Sequence, residues 1–542
     1  MLKENFVKYI EKGITENWTH AALSDYKGES FTYGEVGIII LRLHEAFKKL
    51  GIQPGDKIAL ISRSSARWAI VYLATVSYGA TIVPLLPEFK PDDLQQLVNH
   101  SDSIVLFCEN DIFNKFENNV MSNLKCTMSV NSFATLQFSQ PEFEDIYIQS
   151  EIKEVTRQNF TLPEISNEQL AVISYTSGTT GSVKGVMLQN NSLAANVKYA
   201  RENMPLESGD KIVSFLPMAH AFGCAFELLF PFSLGCNITV LTKSPSPQVI
   251  LQAFGEVKPA LILSVPLVIE KIYKNKIIPL LKQPKIKFMT SIPILRNVVY
   301  KKINKSLSDA FGGKFKAIVV GGAAFSKEAE QFFRKIKFKF TVGYGMTECG
   351  PLISYTPWDK FKLGSSGKLI DTLEAKIISD KPSEIPGEIM VRGEGVMVGY
   401  YKNEELTREI IEPDGWMHTG DLGTMDADNT IYIKGRSKTM ILGANGQNIY
   451  PDEIESVLNN MHAVSESLVI QRNNKLVALI YPDQDIVKNE KMDEEVIKKL
   501  FKSHIHTLNH RLPKFMNVSD FAVQKEEFIK TPKRSIKRYL YI

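Results

Sequence analysis

A segment rich in glycine and hydroxyl side chains contains the residues best suited to chemistry. It reads Ser174-Tyr-Thr-Ser-Gly-Thr-Thr-Gly-Ser-Val-Lys-Gly185 and lies between the apolar run AVIS and the helix-like pattern VMLQNNSLAANV. A loop of this composition between a strand and a helix can turn its backbone N–H groups inward to bind phosphate oxygens. Lys184 adds a positive charge. The segment predicts a phosphate-binding loop, but not a Walker A loop, because Gly185 stands where that loop has Ser or Thr.

A second segment, Val342-Gly-Tyr-Gly-Met-Thr-Glu-Cys-Gly350, places an aromatic ring between two glycines. With so little around it, Tyr344 can lie flat against a nucleotide base. Thr347 and Glu348 follow directly, and their oxygens suit a phosphate and a hard cation such as Mg²⁺. The segment therefore predicts a nucleotide site.

Two further segments are weaker signals. Residues 415–423 contain Asp421, a carboxylate that can accept both hydroxyls of a ribose. The other segment is Lys-Gly-Arg-Ser-Lys-Thr-Met-Ile-Leu-Gly at 434–443, which contains Arg436, followed by Asn-Gly-Gln-Asn-Ile-Tyr-Pro-Asp-Glu-Ile-Glu at 445–455. Taken singly, the Thr-Gly-Asp and Gly-Arg sequences in these segments are also common in ordinary turns.

In this order and spacing, the segments closely resemble the adenylate-forming superfamily of acyl- and aryl-CoA synthetases, peptide-synthetase adenylation domains and firefly-type luciferases. The resemblance covers the whole chain. It implies that ATP activates a carboxylic acid as an acyl-AMP, which then forms a thioester with coenzyme A, with Mg²⁺ as cofactor. It also implies a large N-terminal domain (1–435) of stacked mixed sheets with helices and a β-subdomain. A small, mobile C-terminal α+β domain (436–542) would follow, with its hinge near Lys438.

The resemblance also assigns roles to residues. The loop from Thr176 to Lys184 would hold the β- and γ-phosphates of ATP, and Thr176 and Glu348 would bind the metal. The implied catalytic residues are Lys184, His220, Thr347, Glu348 and Lys537. The implied cofactor-binding residues are Thr176, Ser177, Gly178, Thr179, Thr180, Gly181, Gly322, Ala323, Tyr344, Gly345, Asp421, Arg436, Lys438, Gly443 and Gly446. Gly322 and Ala323 would border the adenine, and Tyr344 would stack on it. Asp421 and Arg436 would bind the ribose, and Thr347 would touch the α-phosphate. Residues 443–448 would line the pantetheine channel.

One position departs from the family pattern. The family's adenylation lysine lies in a segment resembling Thr-Pro-x-x-Lys-Ile-x-Arg, and this chain reads Thr531-Pro-Lys-Arg-Ser-Ile-Lys-Arg538. Ser535 therefore stands where the lysine is expected. Three explanations remain open. Lys533 or Lys537 substitutes for the lysine from a shifted loop, position 535 has been altered, or the chain forms adenylates poorly.

The acyl pocket is expected near residues 220–226 and the strand that ends in LSVPLVIEKIY (263–273). The small and apolar side chains there favour a fatty acid of medium or long chain, and SVPLVIEKIYKNKI resembles long-chain fatty acyl-CoA synthetases of bacteria. The alternatives are a ligase that loads acyl carrier protein, an aryl acid–CoA ligase, and a nucleotide-binding relative without catalysis.

Short apolar runs that alternate with helical patterns position these segments. The runs at 57–62, 80–86, 103–108, 211–217, 260–266 and 315–322 read as buried parallel strands, and 33–51 reads as a helix that ends at Gly51. This alternation predicts an α/β fold. From about Gly387 the strands GEIMVRG, NTIYIKG and SKTMIL read as antiparallel. A helix at 451–461, strands at SLVIQ and LVALIYP and a helix at about 493–508 complete the pattern.

Composition narrows the class of protein. The chain has 542 residues, a net charge of +4 and five scattered cysteines without zinc spacing. The small charge argues against nucleic-acid binding, and the cysteine usage fits a reducing compartment. The N-terminus lacks a signal-peptide core, and no apolar run reaches about 18 residues, so we expect a cytoplasmic protein.

One stretch, 271–305, has ten Lys or Arg and no Asp or Glu among interleaved apolar residues. It is either a solvated basic face or a surface that docks on anionic lipid, at the inner membrane surface.

Overall fold

The computed structural model describes residues 1–117, 120–177, 183–242, 246–323, 325–442, 447–473, 475–531 and 535–542, without the side chains of Ser177, Leu267 and Phe515. The α-helices, in chain order, are α1 (Phe6–Glu16), α2 (Tyr33–Lys49), α3 (Ala66–Tyr78), α4 (Pro91–His100), α5 (Asn110–Phe113), α6 (Asn190–Asn203), α7 (Ala221–Gly223), α8 (Phe230–Leu234), α9 (Pro247–Val257), α10 (Pro266–Ile272), α11 (Ile278–Lys282), α12 (Pro284–Ser291), α13 (Pro293–Ala310), α14 (Lys327–Lys335), α15 (Glu404–Ile410), α16 (Pro451–Asn459), α17 (Gln484–Asn489) and α18 (Glu494–Arg511).

The strands are β1 (Ala21–Asp25), β2 (Ser30–Thr32), β3 (Lys57–Ile61), β4 (Thr81–Leu85), β5 (Ser103–Cys108), β6 (Cys126–Ser129), β7 (Thr135–Phe138), β8 (Leu170–Ser177), β9 (Val183–Gln189), β10 (Lys211–Ser214), β11 (Asn237–Val240), β12 (Leu261–Ser264), β13 (Ala317–Val320), β14 (Phe340–Val342), β15 (Tyr344–Gly345), β16 (Leu352–Tyr355), β17 (Lys368–Leu369), β18 (Leu373–Ile378), β19 (Gly387–Gly393), β20 (Gly399–Tyr400), β21 (Met417–Met425), β22 (Ile431–Arg436), β23 (Ile441–Leu442), β24 (Asn448–Ile449), β25 (Val464–Arg472), β26 (Lys475–Pro482) and β27 (Val518–Val523).

Two large mixed sheets form the framework. One has the order β20-β9-β8-β4-β3-β5-β6-β7, with parallel pairs at its centre and antiparallel pairs at both ends. The other has the order β14-β13-β12-β10-β11-β1-β2 and is parallel except for β1–β2. The predicted apolar runs are strands of these sheets, so the α/β prediction is confirmed.

Smaller sheets follow along the chain. Strands β18, β19, β21 and β22 form an antiparallel sheet, and two of them, β19 and β22, are the predicted strands GEIMVRG and NTIYIKG. After Arg436, β25, β26 and β27 form one sheet, and β23 pairs with β24. The prediction for SKTMIL is only partly right, because Ser437–Thr439 is a short 3₁₀ turn and only Ile441–Leu442 is a strand.

Local signals explain how the predicted helix α2 begins and ends. The Thr32 side chain accepts a hydrogen bond from Glu35 N, and the Glu35 carboxylate accepts one from Thr32 N, which is a complete capping box. The helix ends before Gly51, whose φ of 65° lies in the left-handed region that glycine tolerates best. Its buried face includes Val36, Ile40 and Phe47, which belong to the main core.

Candidate active site

The predicted phosphate-binding segment forms a hairpin of two antiparallel strands. Thr176, on β8, is the ladder partner of Lys184, on β9, and Ser177 is the partner of Val183. The expectation of a strand followed directly by a helix is therefore wrong. VMLQ belongs to β9, and α6 begins only at Asn190, because a buried apolar run of this length fits a central strand as well as a helix. The predicted residues Gly178, Thr179, Thr180 and Gly181 lie outside the described residues.

Lys184 and Glu348 meet through a tyrosine that the sequence motifs did not single out. The Nζ atom of Lys184 lies 5.0 Å from the centroid of the Tyr400 ring, a cation–π distance. The Tyr400 hydroxyl donates a 3.0 Å hydrogen bond to Glu348 Oε1. Tyr400 reaches this position because β20 pairs with β9, where it faces Val186. Burial lowers the pKa of Lys184 and the neighbouring Lys438 lowers it further, whereas Glu348 opposes the shift.

A second cluster joins the predicted adenine and ribose residues. The Tyr344 hydroxyl donates to Asp421 Oδ2 at 2.7 Å, and Arg436 Nε lies 3.1 Å from Asp421 Oδ1. Asp421 and Arg436 are ladder partners on β21 and β22, so the sheet itself sets their separation. Burial raises the pKa of Asp421, and the positive charge of Arg436 opposes that shift. Thus three of the predicted nucleotide residues form one hydrogen-bonded group.

Two glycines meet the backbone demands of this region. A Cβ atom on Gly345 would lie 2.1 Å from the carbonyl oxygen of Pro351, so only glycine fits between β15 and β16. Gly322 follows β13 with a φ of 90°, and a Cβ atom there would meet no neighbour within 4 Å. The predicted neighbour Ala323 is exposed beside it. This exposed turn suits the edge of a base.

The turn that contains Thr347 and Glu348 is fixed by a residue that the motifs missed. Asn196, buried on α6, donates to the Cys349 carbonyl at 3.1 Å and accepts from Leu352 N at 2.8 Å. The Glu348 carbonyl accepts a 2.8 Å hydrogen bond from Met397 N. The NNSLAANV pattern gave no signal of this role, because it only indicated a helix.

His220 precedes α7, next to a small cavity. Its backbone N–H donates to Pro217 O at 2.9 Å. The cavity has a volume of about 20 Å³, and its lining includes Met218, Ala219, Ala221, Cys224 and Gly350. The lining thus includes Ala221, Cys224 and Ala225 of the predicted acyl segment 220–226 but no residue of 263–273. Its side chains are apolar apart from Ser174, Cys224 and the hydroxyl of Tyr72, so it suits an uncharged group.

A buried glutamate holds the segment that leads to His220. Glu227 lies in a π-helical turn, Cys224–Leu229, a distortion that is frequent at functional sites. Its Oε2 atom accepts hydrogen bonds of 3.0 Å from Ser214 Oγ, Phe215 N and Leu216 N, whereas its Oε1 atom has no partner in the described part of the chain. Burial raises the pKa of Glu227 to about 8.

The remaining predicted residues lie in the C-terminal segment, defined here as residues 436–542. Lys438 lies in the 3₁₀ turn Ser437–Thr439, close enough to affect the pKa of Lys184. Lys537 N donates to Ile529 O at 2.8 Å, within the C-terminal segment. Gly443 and Gly446 lie outside the described residues, so their predicted role stays a prediction.

The site fits a metal that arrives with a nucleotide. Over the described ranges, no group of three or more His, Cys, Asp or Glu side chains could hold a metal ion alone. Mg²⁺ is usually held by one or two carboxylates together with substrate phosphates and water. Glu348, beside Lys184 and near the Thr176 hairpin, is a suitable single carboxylate.

Comparison with known proteins decides the family. The model of the AMP-binding enzyme family matches residues 11–401, and the model of its C-terminal domain matches residues 438–541. The chain belongs to the AMP-binding enzyme family. The resemblance to adenylate-forming enzymes drawn from the motifs is confirmed.

Relatives of this AMP-binding enzyme include ligases for long-chain acids. It is 28% identical over 451 residues to the long-chain-fatty-acid–CoA ligase FadD15 of Mycobacterium bovis, covering 78% of this chain and 72% of the relative. It is 28% identical over 518 residues to the peroxisomal long chain acyl-CoA synthetase 6 of Arabidopsis thaliana, covering 89% and 72%. A chloroplastic long-chain-fatty-acid–[acyl-carrier-protein] ligase, AEE15 of Arabidopsis thaliana, is 26% identical, covering 88% and 75%.

Solved structures show the same fold. The anthranilate CoA ligase AuaEII in complex with anthranoyl-AMP superposes with a TM-score of 0.79 at 20% identity, covering all of this chain and 97% of the other. ATP-bound MatB of Rhodopseudomonas palustris superposes with a TM-score of 0.76 at 21% identity, covering 99% and 98%. These likenesses confirm the architecture of an AMP-binding enzyme.

Proposed function

We propose that this AMP-binding enzyme uses ATP to convert a medium- or long-chain fatty acid to an acyl-AMP and then transfers the acyl group to coenzyme A. The observation that carries the proposal is the hydrogen-bonded group Tyr344–Asp421–Arg436 beside the linked pair Lys184 and Glu348. The first group offers an aromatic face and a carboxylate to a nucleoside. The second offers a cation and a carboxylate that suit its phosphates and their metal ion.

The chemistry explains why these groups are needed. A carboxylate is a poor electrophile, so an acid oxygen first attacks the α-phosphorus of ATP and pyrophosphate leaves. The sulfur of coenzyme A then attacks the carbonyl carbon, a C–S bond forms and AMP leaves. Negative charge gathers on the phosphate oxygens in the first step, and the predicted roles of Lys184 and Thr347 are to stabilise it. Bound Mg²⁺, which Glu348 and Thr176 would hold, would neutralise part of the same charge.

The acyl group is assigned from the cavity beside His220. Its lining is dominated by apolar side chains from several elements, including Tyr72, Val172, Leu193 and Leu229. A volume of about 20 Å³ holds roughly one water molecule, so a long chain enters only after these side chains move apart. The names of the fatty-acid relatives support the same assignment.

Acid-dependent exchange of pyrophosphate into ATP tests the first step, and AMP release with coenzyme A, with acyl carrier protein or with neither tests the second. We expect exchange with fatty acids, in a panel from acetate to palmitate with benzoate and cinnamate, and AMP release that requires coenzyme A. AMP release with carrier protein but not with coenzyme A would identify the enzyme as an acyl carrier protein ligase. The absence of exchange with every acid would overturn the proposal.

A matched pair of variants ties the activity to the site. Asp421→Ala removes the acceptor shared by Tyr344 and Arg436, and a hydrogen bond to a charged group contributes about 1.5–3 kcal/mol, so we expect kcat/KM for ATP to fall about 10- to 100-fold. Asp426→Ala, which removes a surface partner of Lys362, is the control and should leave the value unchanged.

We also propose that the enzyme docks on anionic membranes through a basic–apolar surface, residues 282–305. Helix α12 has no buried residue, and α13 buries only Val299 and Ile303. The exposed cations are Lys282, Lys285, Lys287, Arg296, Lys301, Lys302 and Lys305. The exposed apolar side chains include Phe288 (66% exposed), Ile294 (77%) and Val298 (56%). None of the described helices is long and apolar enough to cross a membrane, so contact would be peripheral.

Charge and apolar area together favour lipid over water as the partner of this surface. None of the seven cations pairs with a carboxylate within the part of the chain that the structure describes. Each Lys or Arg near an anionic bilayer contributes about 1 kcal/mol, and shallow insertion of Phe288 and Ile294 would add apolar burial. A fatty acid held in a membrane would then be supplied at the surface of the enzyme.

A further inference from the structure

Lys274 differs from the other cations of the basic stretch because it points into the protein. It lies in a π-helical turn, Tyr273–Ile277, that continues α10. Its Nζ atom donates to the carbonyl of Asn459 at 3.0 Å and to the carbonyl of Val464 at 2.5 Å. Both acceptors belong to the C-terminal segment, so Lys274 connects the two parts of the chain.

The acceptors explain why a cation is used. Asn459 is the last residue of α16, and carbonyls at a helix C-terminus have no partner inside the helix. They also form the negative end of the helix dipole, which favours a positive charge. Val464 is the first residue of β25, so Lys274 fixes the helix and the strand of the C-terminal segment at once.

Glu270, one turn before Lys274, completes the contact. Its Oε1 atom accepts a 2.7 Å hydrogen bond from Ser326 N. Burial raises the pKa of Glu270 to about 7, and the hydrogen bond from Ser326, the charge of Lys274 and a hydrogen bond from Asn460 oppose that rise. Ser326 caps α14, whose first residues Lys327 and Glu328 pair with residues of the C-terminal segment. Those two pairs are exposed, and exposed pairs contribute little, whereas Lys274 is largely enclosed.

The contact is suited to being made and broken. Burial removes hydration from this cation and lowers the pKa of Lys274 to about 8, while the negative charges of Asp483 and Glu270 oppose the shift. A buried charge of this kind contributes geometric specificity more than net stability. The family resemblance implies a mobile C-terminal domain, and a contact of this kind can hold such a domain in one orientation.

The orientation that Lys274 holds brings one part of the C-terminal segment to the nucleotide residues. Lys438 affects the pKa of Lys184, and Asp452 raises the pKa of Asp421. In the sequence, Lys438 and Asp452 flank residues 443–448, which the family resemblance assigns to the pantetheine channel. The backbone N–H of Lys537 donates to the carbonyl of Ile529, which belongs to the C-terminal segment itself and not to the nucleotide residues.

From this geometry we infer that Lys274 is a positioning residue for acyl transfer to the thiol, and that it holds the C-terminal segment in the orientation used by that half-reaction. The inference rests on the proposed function. Lys274 is not among the residues predicted to bind substrate or nucleotide, and it acts through Asn459 and Val464.

The test separates the two half-reactions. In Lys274→Met, the side chain keeps its apolar stem but cannot donate to the two carbonyls. Loss of a charged hydrogen bond changes an equilibrium by about tenfold or more, so we expect transfer from preformed acyl-AMP to coenzyme A to slow by about that factor. Pyrophosphate exchange should stay unchanged. Lys274→Arg, which can still donate to both carbonyls, should restore part of the transfer rate.

Lys276→Met is the matched control, because Lys276 lies in the same turn and is exposed. Hydrogen exchange gives a second readout: amides of residues 459–464 should exchange faster in Lys274→Met than in the control. Equal loss of both half-reactions, loss of exchange alone, or no difference from Lys276→Met would overturn the inference. If the wild-type chain showed no acid-dependent pyrophosphate exchange, the proposed function itself would fail, which is a distinguishable result.

Discussion

At the scale of single residues, Ser535 is the clearest departure from the family pattern. It is exposed, its N–H donates to Thr531 Oγ1 at 3.3 Å, and its carbonyl accepts from Thr531 N at 2.8 Å. Residue 535 takes part in both hydrogen bonds through its backbone atoms, so a lysine at this position would keep them. We expect Ser535→Lys to raise acid-dependent pyrophosphate exchange about tenfold or more, because a cation that stabilises the transition state contributes several kcal/mol.

A neutral side chain of similar length separates charge from bulk. Ser535→Gln should leave exchange at the wild-type rate, so a rise in both variants would show that the serine acts through its size alone. If Ser535→Lys leaves the rate unchanged, the missing cation is supplied elsewhere, and Lys537 becomes the residue to substitute next.

At the scale of elements, the π-helical turn 224–229 should make folding stability depend on pH through Glu227. The native protein keeps the Glu227 proton up to about pH 8, whereas the unfolded chain releases it near the ordinary value of 4.5. Between these values the native state binds more protons, so the free energy of unfolding falls as pH rises, by at most about 1.4 kcal/mol per pH unit for one group. Glu227→Gln cannot titrate and should show a smaller decline.

Urea denaturation from pH 5 to pH 8.5 measures this slope. Glu405→Gln, an exposed change on α15, is the control and should keep the wild-type decline. The absolute stability of Glu227→Gln is expected to be lower, because its amide nitrogen would occupy a buried position without an acceptor. A slope identical to that of Glu405→Gln would contradict the assignment of a raised pKa to Glu227.

At the scale of elements, the sequence predicted buried strands but not how distant strands pair. Apolar runs such as 57–62 and 103–108 became strands β3 and β5, because length and bounding residues suffice for buried parallel strands. The hairpin β8–β9 was not predicted, since VMLQ has no periodicity that distinguishes a strand from a helix. Tyr400 was missed because its role depends on β20 pairing with β9, a contact between residues far apart in the chain.

At the scale of the whole molecule, the division of the chain at residues 435 and 436 stays a prediction. The C-terminal segment has a core of its own, which includes Ile454, Val469 and Phe501. The motifs located the nucleotide residues in sequence, but only the fold brought Tyr344 to Asp421 and Lys274 to Asn459. Such contacts depend on how large elements pack, which short patterns do not encode.

The basic–apolar surface concerns the whole molecule, because membrane docking would determine where the enzyme is found and not which reaction it catalyses. We expect the enzyme to cosediment more with phosphatidylglycerol vesicles than with phosphatidylcholine vesicles. Binding should weaken as salt rises, because the Debye length is only about 10 Å at 0.1 M ionic strength and shortens further at higher salt, so exposed charges are screened. Combined Lys287→Glu, Arg296→Glu and Lys301→Glu should lower the vesicle affinity about 100-fold or more, at about 1 kcal/mol for each charge removed.

An equal change of charge elsewhere controls for net charge. Lys499→Glu, Lys502→Glu and Lys514→Glu alter exposed positions in and after α18, so vesicle binding should change much less. Phe288→Ser with Ile294→Ser should weaken the binding that persists at high salt, because apolar insertion is not screened. Equal sedimentation with both lipids, or equal effects of the two charge-reversed variants, would mean that these cations only keep the surface hydrated.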